Sequence, residues 1–312
     1  MASIAIVTPA GAGTRNGNRH TALRWASLLR GAGHRVRVAV EWQGEHCDTL
    51  IALHARRSHD SIVRFKEEFS GKKLVVVLTG TDLYRDLPDS KEARRSLELA
   101  DRLIVLQDAA LRELETSVRR KARVVYQSAD AGKLRNAPPL QFRAAVIGHL
   151  RAEKDPFRTV MALRHLPGEE IQVVHVGAAL DPALGREAEA WAAREPRYRW
   201  LGSLPHARAL GWLARSHVLV VSSVMEGGAN VIAEAARIGT PVIASRMSGN
   251  LGMLGRDYPG FYPLYDERAL ARLLARAAHD SVFYERLKTS IRRRRRLFAP
   301  PAERAALIAA IR

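Results

Sequence analysis

The feature that most constrains the fold of this chain is a regular alternation of short apolar segments with longer amphipathic ones, in two successive blocks. In the first block, apolar runs of strand length lie at 4–8, 36–40, 50–53, 74–79, 103–106 and 123–126, with helical patterns between them, for example at 21–31 and 91–100. In the second block, such runs lie at 144–147, 171–176, 199–201, 218–221 and 241–244, and helical patterns at 156–165, 182–194, 207–214 and 230–238. Strands that alternate with helices form right-handed βαβ units with a parallel sheet. The sequence therefore predicts an α/β fold with two doubly wound domains.

The two blocks are separated by Pro138 and Pro139, which bar both a helix and a central strand. We therefore expect two Rossmann-like domains, an N-terminal one at 1–137 and a C-terminal one at 138–298. After residue 266 the pattern is purely helical, at 267–279, 281–296 and 303–311. The segment 299–312 is predicted to be a helix that packs back toward the first domain. Because doubly wound folds bind ligands at the carboxyl ends of their strands, the two domains are expected to face a cleft that holds the chemistry.

The composition of the chain indicates the cellular compartment and excludes some kinds of metal site. No run approaches the roughly 20 apolar residues of a membrane span, and the N-terminus has neither a basic region nor a cleavage site, so no signal peptide is expected. The single cysteine, Cys47, excludes a disulfide within the chain and a cysteine-rich metal site, and the histidines lack metal-ligand spacing. We therefore expect a cytoplasmic protein that needs no metal and no cofactor.

The chain is strongly basic, since its 50 Lys and Arg residues exceed its 32 Asp and Glu residues by 18. Such a charge favours anionic ligands, namely nucleotides, phosphorylated substrates, nucleic acid or acidic membranes, without choosing among them. The arginine run 292–296 resembles a nucleic-acid or membrane patch, but at a helix C-terminus it is more often a solvated face that suits the helix dipole. Aromatic interleaving and reader motifs are missing, so no specific nucleic-acid partner is predicted.

The most informative motif is the segment 226–234, which follows the strand-like run 218–221 and opens a helical pattern. Gly227 and Gly228 allow the backbone to approach a ligand closely. The amides at the start of the next helix suit a diphosphate, and carboxylates such as Glu226 and Glu234 bind sugar diols well. The alternative is a helix-capping glutamate followed by a surface glutamate.

With the segment 235–244 that follows, this pattern resembles the donor motif of family 4 glycosyltransferases, which have the GT-B fold. In that family the first glutamate meets the transferred sugar and the second meets the ribose, which implies these roles for Glu226 and Glu234. The resemblance implies that the remaining donor contacts come from Gly227, Gly228, Ala229, Asn230 and Val231.

A second segment, 147–156, resembles the family's Gly-Arg-Leu-x-x-Glu-Lys-Gly sequence. In the family, the arginine and lysine neutralise the donor diphosphate and the charge that grows on the leaving group, which is often the largest catalytic effect. Lys154 matches the lysine, and the alternative for it is a solvated side chain near a helix start. His149 stands at the arginine position, so that either a protonated His149 or Arg151 is expected to take the second role.

A third segment, 199–205, resembles the family's Phe-Leu-Gly sequence near the nucleotide base, which implies donor contacts from Gly202 and Ser203. The alternative for Gly202 is an ordinary turn at a strand end.

In the first domain, the glycine-rich loop at 8–20 follows the first strand. The loop does not fit a dinucleotide fingerprint, because Asn16 stands in place of the third glycine. Family 4 enzymes place the acceptor and the donor phosphate at such a loop, so the resemblance implies an unusually cationic acceptor site here. The alternative is a plain glycine-rich turn with solvated arginines. The predicted acceptor-binding residues are Gly13, Thr14, Arg15, Asn18, Arg19 and His20.

The segment 79–82 occupies the place where family members carry a histidine followed by glycine or aspartate. Thr79 replaces that histidine here, which argues against a catalytic histidine at this position. Asp82 is expected to cap the turn that follows it.

Some features are narrower than family 4. They are the sequence 226–230, His149 in place of arginine, and the segment 248–260. Together they resemble the selenosugar synthases of selenoneine biosynthesis. The resemblance implies transfer of N-acetylglucosamine or glucose from the UDP-sugar to selenium supplied as selenophosphate. A small anionic acceptor needs a cationic pocket, and selenium is already nucleophilic enough to make a general base less important.

Two other functions stay open at this level. The first is a family 4 transferase that acts on a saccharide or lipid hydroxyl, with its basic charge as a membrane anchor. The second is a nucleic-acid-binding protein with a degenerate transferase fold. The selenosugar hypothesis predicts small-molecule partners and no stable membrane association, and the oligomeric state is left open.

Overall fold

The computed structural model describes residues 1–9, 11, 17–131 and 134–312, which form two compact units. The first unit contains Met1–Gln127, Glu226–Gly228 and Pro300–Arg312, and the second contains Ser128–Met225 and Ala229–Ala299. Residues 128–131 and 134–137 group with the second unit, to which their backbone is hydrogen-bonded. Ala129 N–H donates to Phe298 O at 3.2 Å, and Ala137 N–H donates to Ala214 O at 2.9 Å.

The first unit is built on a six-stranded sheet in the order β2-β1-β3-β4-β5-β6, with every neighbouring pair parallel. Its strands are β1 (Ser3–Val7), β2 (Arg35–Ala39), β3 (Thr49–Leu53), β4 (Lys73–Leu78), β5 (Arg102–Val105) and β6 (Ala122–Val124). Its α-helices are α1 (Gly17–Arg30), α2 (His59–Glu68), α3 (Leu87–Asp89), α4 (Lys91–Leu99), α5 (Thr116–Arg119) and α13 (Pro300–Ile311). A π-helical turn at Asp82–Asp86 and a 3-10 turn at Asp108–Glu113 complete it.

Side chains on the two faces of this sheet feed two separate cores, as the alternation along a strand requires. On β4, Val76 and Leu78 pack with Phe65 of α2, whereas Val75 and Val77 pack with Trp25 of α1. The central strands β3 and β4 are therefore buried on both faces, which explains why they read as continuous apolar runs.

The C-terminal helix α13 covers the α1 side of the first sheet. Leu307, Ala310 and Ile311 of α13 belong to the core that contains Trp25. The carboxylate of Glu303 is buried and accepts hydrogen bonds from Trp25 Nε1 at 2.7 Å and Arg24 Nε at 3.2 Å.

The second unit has a six-stranded parallel sheet in the order β12-β11-β10-β7-β8-β9. Its strands are β7 (Arg143–Ile147), β8 (Gln172–Val176), β9 (Tyr198–Trp200), β10 (Val218–Val221), β11 (Val242–Ser245) and β12 (Phe261–Tyr262). Its α-helices are α6 (Arg158–Leu163), α7 (Pro182–Arg194), α8 (His206–Ala214), α9 (Asn230–Ile238), α10 (Ser248–Leu254), α11 (Glu267–His279) and α12 (Ser281–Arg294). A 3-10 turn lies at Ala152–Lys154.

The strand order of the second unit reverses direction between β7 and β10, the first and fourth strands of this unit. This is the strand order of the Rossmann fold, in which ligands bind beyond the carboxyl ends of the strands at the reversal point. The prediction of an α/β fold with two parallel-sheet domains is confirmed. Across the described part of the chain, every helix is too short or too polar to cross a bilayer.

Candidate active site

Two of the predicted donor segments leave the sheet of the second unit at its reversal point. The strands β7 and β10 are direct neighbours, with Ala145 opposite Leu219. One segment follows β7 and the other follows β10, so their first residues emerge side by side. A pocket at this edge is lined by residues of both segments, among them His149, Lys154, Ser222 and Val231. The structure thus brings Lys154 and His149 to the start of α9.

The turn that carries Lys154 is tied to the loop after β10. Ser222 Oγ donates to the carbonyls of Lys154 and Asp155, at 3.1 and 2.8 Å, and Val224 N–H donates to Glu153 O at 2.9 Å. Asp155 ends the 3-10 turn in the left-handed conformation, with φ at 44°. The aliphatic part of Lys154 passes over Gly148, where a Cβ would lie 3.9 Å from its Cδ and Cε. These contacts position the lysine relative to α9.

His149 is held by the adjacent strand segment. Its Nδ1 accepts a hydrogen bond from the Ala178 N–H at 3.0 Å. A nitrogen that accepts carries no proton, so the ring proton is on Nε2 and the imidazole is neutral in this arrangement. A protonated His149 would have to give up this hydrogen bond, and the role of His149 at the diphosphate stays a prediction. Arg151, the other residue considered for the role, is exposed.

A second histidine lies behind His149 in the same pocket. His175 is 1% exposed, and its Nδ1 is 3.0 Å from the hydroxyl of Tyr198. Burial lowers the pKa of His175 to about 4, so this ring is neutral at pH 7. His175 thus contributes to the pocket wall an imidazole that stays neutral near pH 7.

The start of α9 has no side-chain cap. Its N-cap residue is Ala229, which has no side-chain acceptor for the first-turn N–H groups. The next residue, Asn230, has a buried Oδ1 that lacks a hydrogen-bond partner among the described residues. Unpaired amides at a helix N-terminus suit an anion, and a buried unpaired acceptor is costly until a donor reaches it. Val231 follows and lines the Lys154 pocket.

Glu234 lies one turn into α9 and is paired with a histidine that the sequence analysis did not single out. Glu234 Oε1 is 2.8 Å from Nε2 of His206, the first residue of α8. The hydrogen bond to Glu234 raises the pKa of His206. The Glu234 side chain is 15% exposed, so it is partly shielded without being sealed off. His206 directly follows the segment 199–205, which is predicted to contact the nucleotide base. That position is the one feature of the sequence that points to His206 as a site residue.

The predicted residues after β9 lie in a turn. Gly202 has a φ of 63°, a conformation that favours glycine, and its carbonyl accepts from Gly177 N–H at 2.8 Å. Ser203 is exposed. The turn therefore supports the strand-end interpretation of Gly202, and a donor contact stays a prediction.

Glu226, Gly227 and Gly228 group with the first unit. A Cβ on Gly227 would overlap the carbonyl oxygen of Thr79 and lie 2.7 Å from Gly80 N. A Cβ on Gly228 would lie 2.8 Å from Leu106 Cβ. Both positions therefore require glycine for steric reasons, and Glu226 beside them is half-buried.

Three of the predicted acceptor residues open helix α1, which follows β1 in the chain. Asn18 and Arg19 are half-buried and His20 is exposed in the first turn of α1. Gly13, Thr14 and Arg15 lie outside the described residues. Across the residues that are described, no cluster of three His, Cys, Asp or Glu side chains could hold a metal ion.

The model of the family of glycosyl transferases, group 1, matches residues 135–294, which are 160 of the 312 residues. This chain belongs to that family. The matched part spans both donor segments, from Gly148 through Glu234.

Solved structures share the fold of this glycosyltransferase over nearly its whole length. Sucrose-phosphate synthase from Thermosynechococcus elongatus is 18% identical, with a TM-score of 0.79 over 98% of this chain and 97% of that one. HepE from Anabaena, solved in complex with UDP and glucose, is 15% identical, with a TM-score of 0.77 over 99% of both chains. A glycosyltransferase from Rickettsia africae is 13% identical, with a TM-score of 0.75 over 98% of this chain and 97% of that one. The GT-B fold predicted from the motifs is confirmed.

The first unit of the glycosyltransferase contains a buried histidine that sequence reasoning missed. His54 follows β3, is 1% exposed, and has a φ of 77°, which is uncommon for a residue other than glycine. Its Nδ1 accepts from Arg57 N–H at 3.3 Å, and its Nε2 is 3.0 Å from Thr81 Oγ. The ring proton is therefore on Nε2 and is donated to the Thr81 hydroxyl. Burial lowers the pKa of His54 and keeps the ring neutral.

The turn next to His54 is stabilised by a buried aspartate. Asp82 Oδ1 accepts from the N–H groups of Thr79 and Gly80, each at 2.8 Å, and Oδ2 accepts from Ala55 N–H at 3.0 Å. Asp82 thus caps the turn that precedes it and joins the carboxyl ends of β3 and β4. No sequence signal links His54 to Thr81, because 27 residues separate them and only the pairing of β3 with β4 brings them together.

Proposed function

We propose that this glycosyltransferase transfers N-acetylglucosamine or glucose from its UDP-sugar to the selenium atom of selenophosphate. The observation that carries the proposal is the pocket of the second unit in which Lys154 and His149 meet the start of α9. A lysine, a neutral imidazole and a row of uncapped helix amides form a good environment for a diphosphate.

The donor class is supported by the relatives as well as by the pocket. HepE has this fold and was solved with UDP and glucose. In the proposed complex, Lys154 and the first-turn amides of α9 neutralise the diphosphate, and Glu234 binds the ribose. Because protein groups supply this countercharge, the proposal assigns the reaction no metal and no further cofactor.

The transferred sugar is assigned to Glu226. The half-buried carboxylate lies beside Gly227 and Gly228, whose missing side chains let the loop pack closely. During transfer, the bond between the anomeric carbon and the UDP oxygen breaks with the electron pair leaving on UDP, while selenium forms the new bond. Lys154 stabilises the charge that develops on the leaving diphosphate. The phosphoryl group stays on selenium until water removes it.

The acceptor is assigned to the start of α1, at Asn18, Arg19 and His20, together with Gly13, Thr14 and Arg15. The basic side chains suit a small anion, and a selenium nucleophile needs little help from a general base. This agrees with a neutral, fully hydrogen-bonded His54, which is suited to hold Thr81 in place and poorly suited to take a proton.

The test is mass spectrometry after incubation of the purified protein with UDP-N-acetylglucosamine or UDP-glucose and selenophosphate. We expect a selenium-linked sugar and free UDP. In the Lys154→Ala variant the yield is expected to fall by at least tenfold, while Glu189→Gln, a change on the exposed face of α7, leaves it unchanged.

Three outcomes separate the parts of the proposal. Transfer to a saccharide or lipid hydroxyl but not to selenophosphate would refute the acceptor and leave the donor intact. Failure to bind UDP in calorimetry would refute the donor as well. Turnover that requires anionic vesicles would refute the expectation of no stable membrane association.

A further inference from the structure

A second cavity lies at the opposite edge of the second unit's sheet. Its volume is about 730 Å³, far larger than the space needed for one ordered water. Its walls come from residues that precede β7, β10 and β11 and from α12, so it opens at the amino ends of the strands. The Lys154 pocket lies at the carboxyl ends, and the two sites are therefore distinct.

The cavity is lined by four basic side chains, those of Arg135, Lys288, Arg292 and Arg295, and by no acidic one. Lys288 is paired with Glu285 at 2.6 Å. The three arginines form no ion pair with any residue that the structure describes. Such a concentration of unpaired positive charge is unfavourable without a bound anion.

Arg135 and Arg292 are exposed, whereas Arg295 is half-buried. The Nε atoms of Arg295 and of its neighbour Arg237 are buried and have no hydrogen-bond partner in the described part of the chain. Burial, together with the guanidinium groups of Arg135 and Arg237, lowers the pKa of Arg295. Unpaired buried donors are rare in native proteins because each costs free energy. An anion in the cavity would relieve the repulsion and would offer an acceptor to Arg295, which lines the cavity.

Helix dipoles offset only part of the positive charge at the cavity. The helices α9 and α12 end near the cavity, at Ile238 and Arg294, and each C-terminus carries about half a negative charge. Together with Glu285 this compensates roughly two of the five nearby cations, which are Arg135, Arg237, Lys288, Arg292 and Arg295. About three positive charges remain.

The arginine run 292–296 is not one uniform face. Arg294 turns inward and donates to the carbonyls of Gly252 and Met253, at 2.7 and 3.0 Å. Arg293 lines a different groove, which also contains Asp257 and Glu285. Arg292 and Arg295 are the members that line the large cavity. The structure therefore selects two of the five arginines for a common ligand.

The remaining walls are apolar and aromatic. Lys288 Nζ lies 5.4 Å from the ring centroid of Tyr284, and His217 stacks on Phe142 with 4.6 Å between centroids. Tyr284 and His217 both line the cavity, as does Leu140, whose side chain is fully exposed. A ligand here meets positive charge on one side and a flat apolar surface on the other.

We propose that this cavity binds a phosphorylated small molecule, with its phosphates on Arg135, Arg292 and Arg295 and its organic part against Tyr284. The site is separate from the donor pocket and extends the protein's function beyond glycosyl transfer to binding of a second phosphate-bearing ligand.

The test is calorimetry with pyrophosphate and with ADP, using the Lys154→Ala protein so that the donor pocket contributes less. We expect both ligands to bind to the Lys154→Ala protein. The additional substitutions Arg292→Gln and Arg295→Gln should lower the affinity for both ligands by at least tenfold. The matched control is the pair Arg286→Gln and Arg293→Gln, which removes the same charge from the same helical region but lines the other groove. In addition, Tyr284→Ala should weaken ADP several-fold and leave pyrophosphate unchanged.

Equal weakening by both arginine pairs would overturn the proposal, because it would indicate diffuse electrostatic attraction. Absence of any binding in the Lys154→Ala protein would also overturn it. Phosphoinositide vesicles provide the third arm. If the Arg292 and Arg295 pair abolishes vesicle binding while soluble phosphates do not bind at all, the ligand is a lipid headgroup and the small-molecule claim is wrong. Circular dichroism of each variant checks that the fold is intact.

Discussion

Replacement of Glu234 tests the donor assignment most directly. In the structure, one carboxylate oxygen of Glu234 accepts from His206 at 2.8 Å. The second oxygen forms no hydrogen bond with the described residues, and the side chain is 15% exposed. We propose that this second oxygen binds a ribose hydroxyl, so that the carboxylate serves both partners at once.

The magnitude follows from the kind of hydrogen bond that is lost. A hydrogen bond to a charged group contributes about 1.5–3 kcal/mol, and about 1.4 kcal/mol corresponds to tenfold in affinity. Glu234→Gln keeps a neutral acceptor and should weaken UDP binding about tenfold, at the lower end of this range. Glu234→Ala removes both oxygens and should weaken it about a hundredfold.

The assay is calorimetry with UDP, accompanied by an NMR titration of His206. The Glu234 hydrogen bond raises the pKa of His206 above its ordinary 6.5. In Glu234→Gln we expect this pKa to fall back toward 6.5. Since the folded-state pKa is raised, the stability contributed by the pair is fully present below the unfolded pKa and is lost as pH rises through the folded one. It is small because His206 is exposed.

The matched control is Glu189→Gln, which removes the same charge from the exposed face of α7. If Glu234→Gln and Glu189→Gln both bind UDP as tightly as the wild type, the ribose assignment is refuted. If the His206 pKa shifts but UDP affinity does not, the pair is purely structural.

Three further predictions concern packing and positioning. Gly227→Ala should lower kcat about a hundredfold in a coupled UDP-release assay, because the added Cβ would overlap Thr79 O and displace the loop by about 1 Å. The control is Gly211→Ala in α8, where the added Cβ meets open space. This control should raise the free energy of unfolding by about 0.5–1 kcal/mol. Glu303→Ala should destabilise the first unit by about 1–3 kcal/mol in calorimetric unfolding, since it leaves the buried Trp25 Nε1 donor unpaired. An unchanged melting temperature would contradict this. His54→Asn should lower kcat while the affinity for UDP stays unchanged; asparagine is chosen because it tolerates the left-handed backbone at this position. Equal losses of kcat and UDP affinity would mean that His54 has a merely structural role.

The fold and the donor segments were predictable because their signals are local. The strands β4 and β10 are continuous apolar runs because both of their faces are buried. Such a run can be recognised from one sequence alone. Lys154 and the start of α9 follow two such strands, and their side-by-side placement is a consequence of the strand order at the reversal point. In contrast, β12 is only two residues long and has no detectable pattern.

What the amino-acid sequence determined by itself was the periodicity, the glycine-rich turn before α9, and the charge of the candidate ligands. The tertiary structure alone decided which distant groups meet. His54 meets Thr81 because β3 pairs with β4, and His206 reaches Glu234 because α8 and α9 are packed together. Arg295 faces Arg135 across 160 residues of chain. Such contacts depend on strand order and helix packing, which the alternation of apolar and polar residues leaves undetermined.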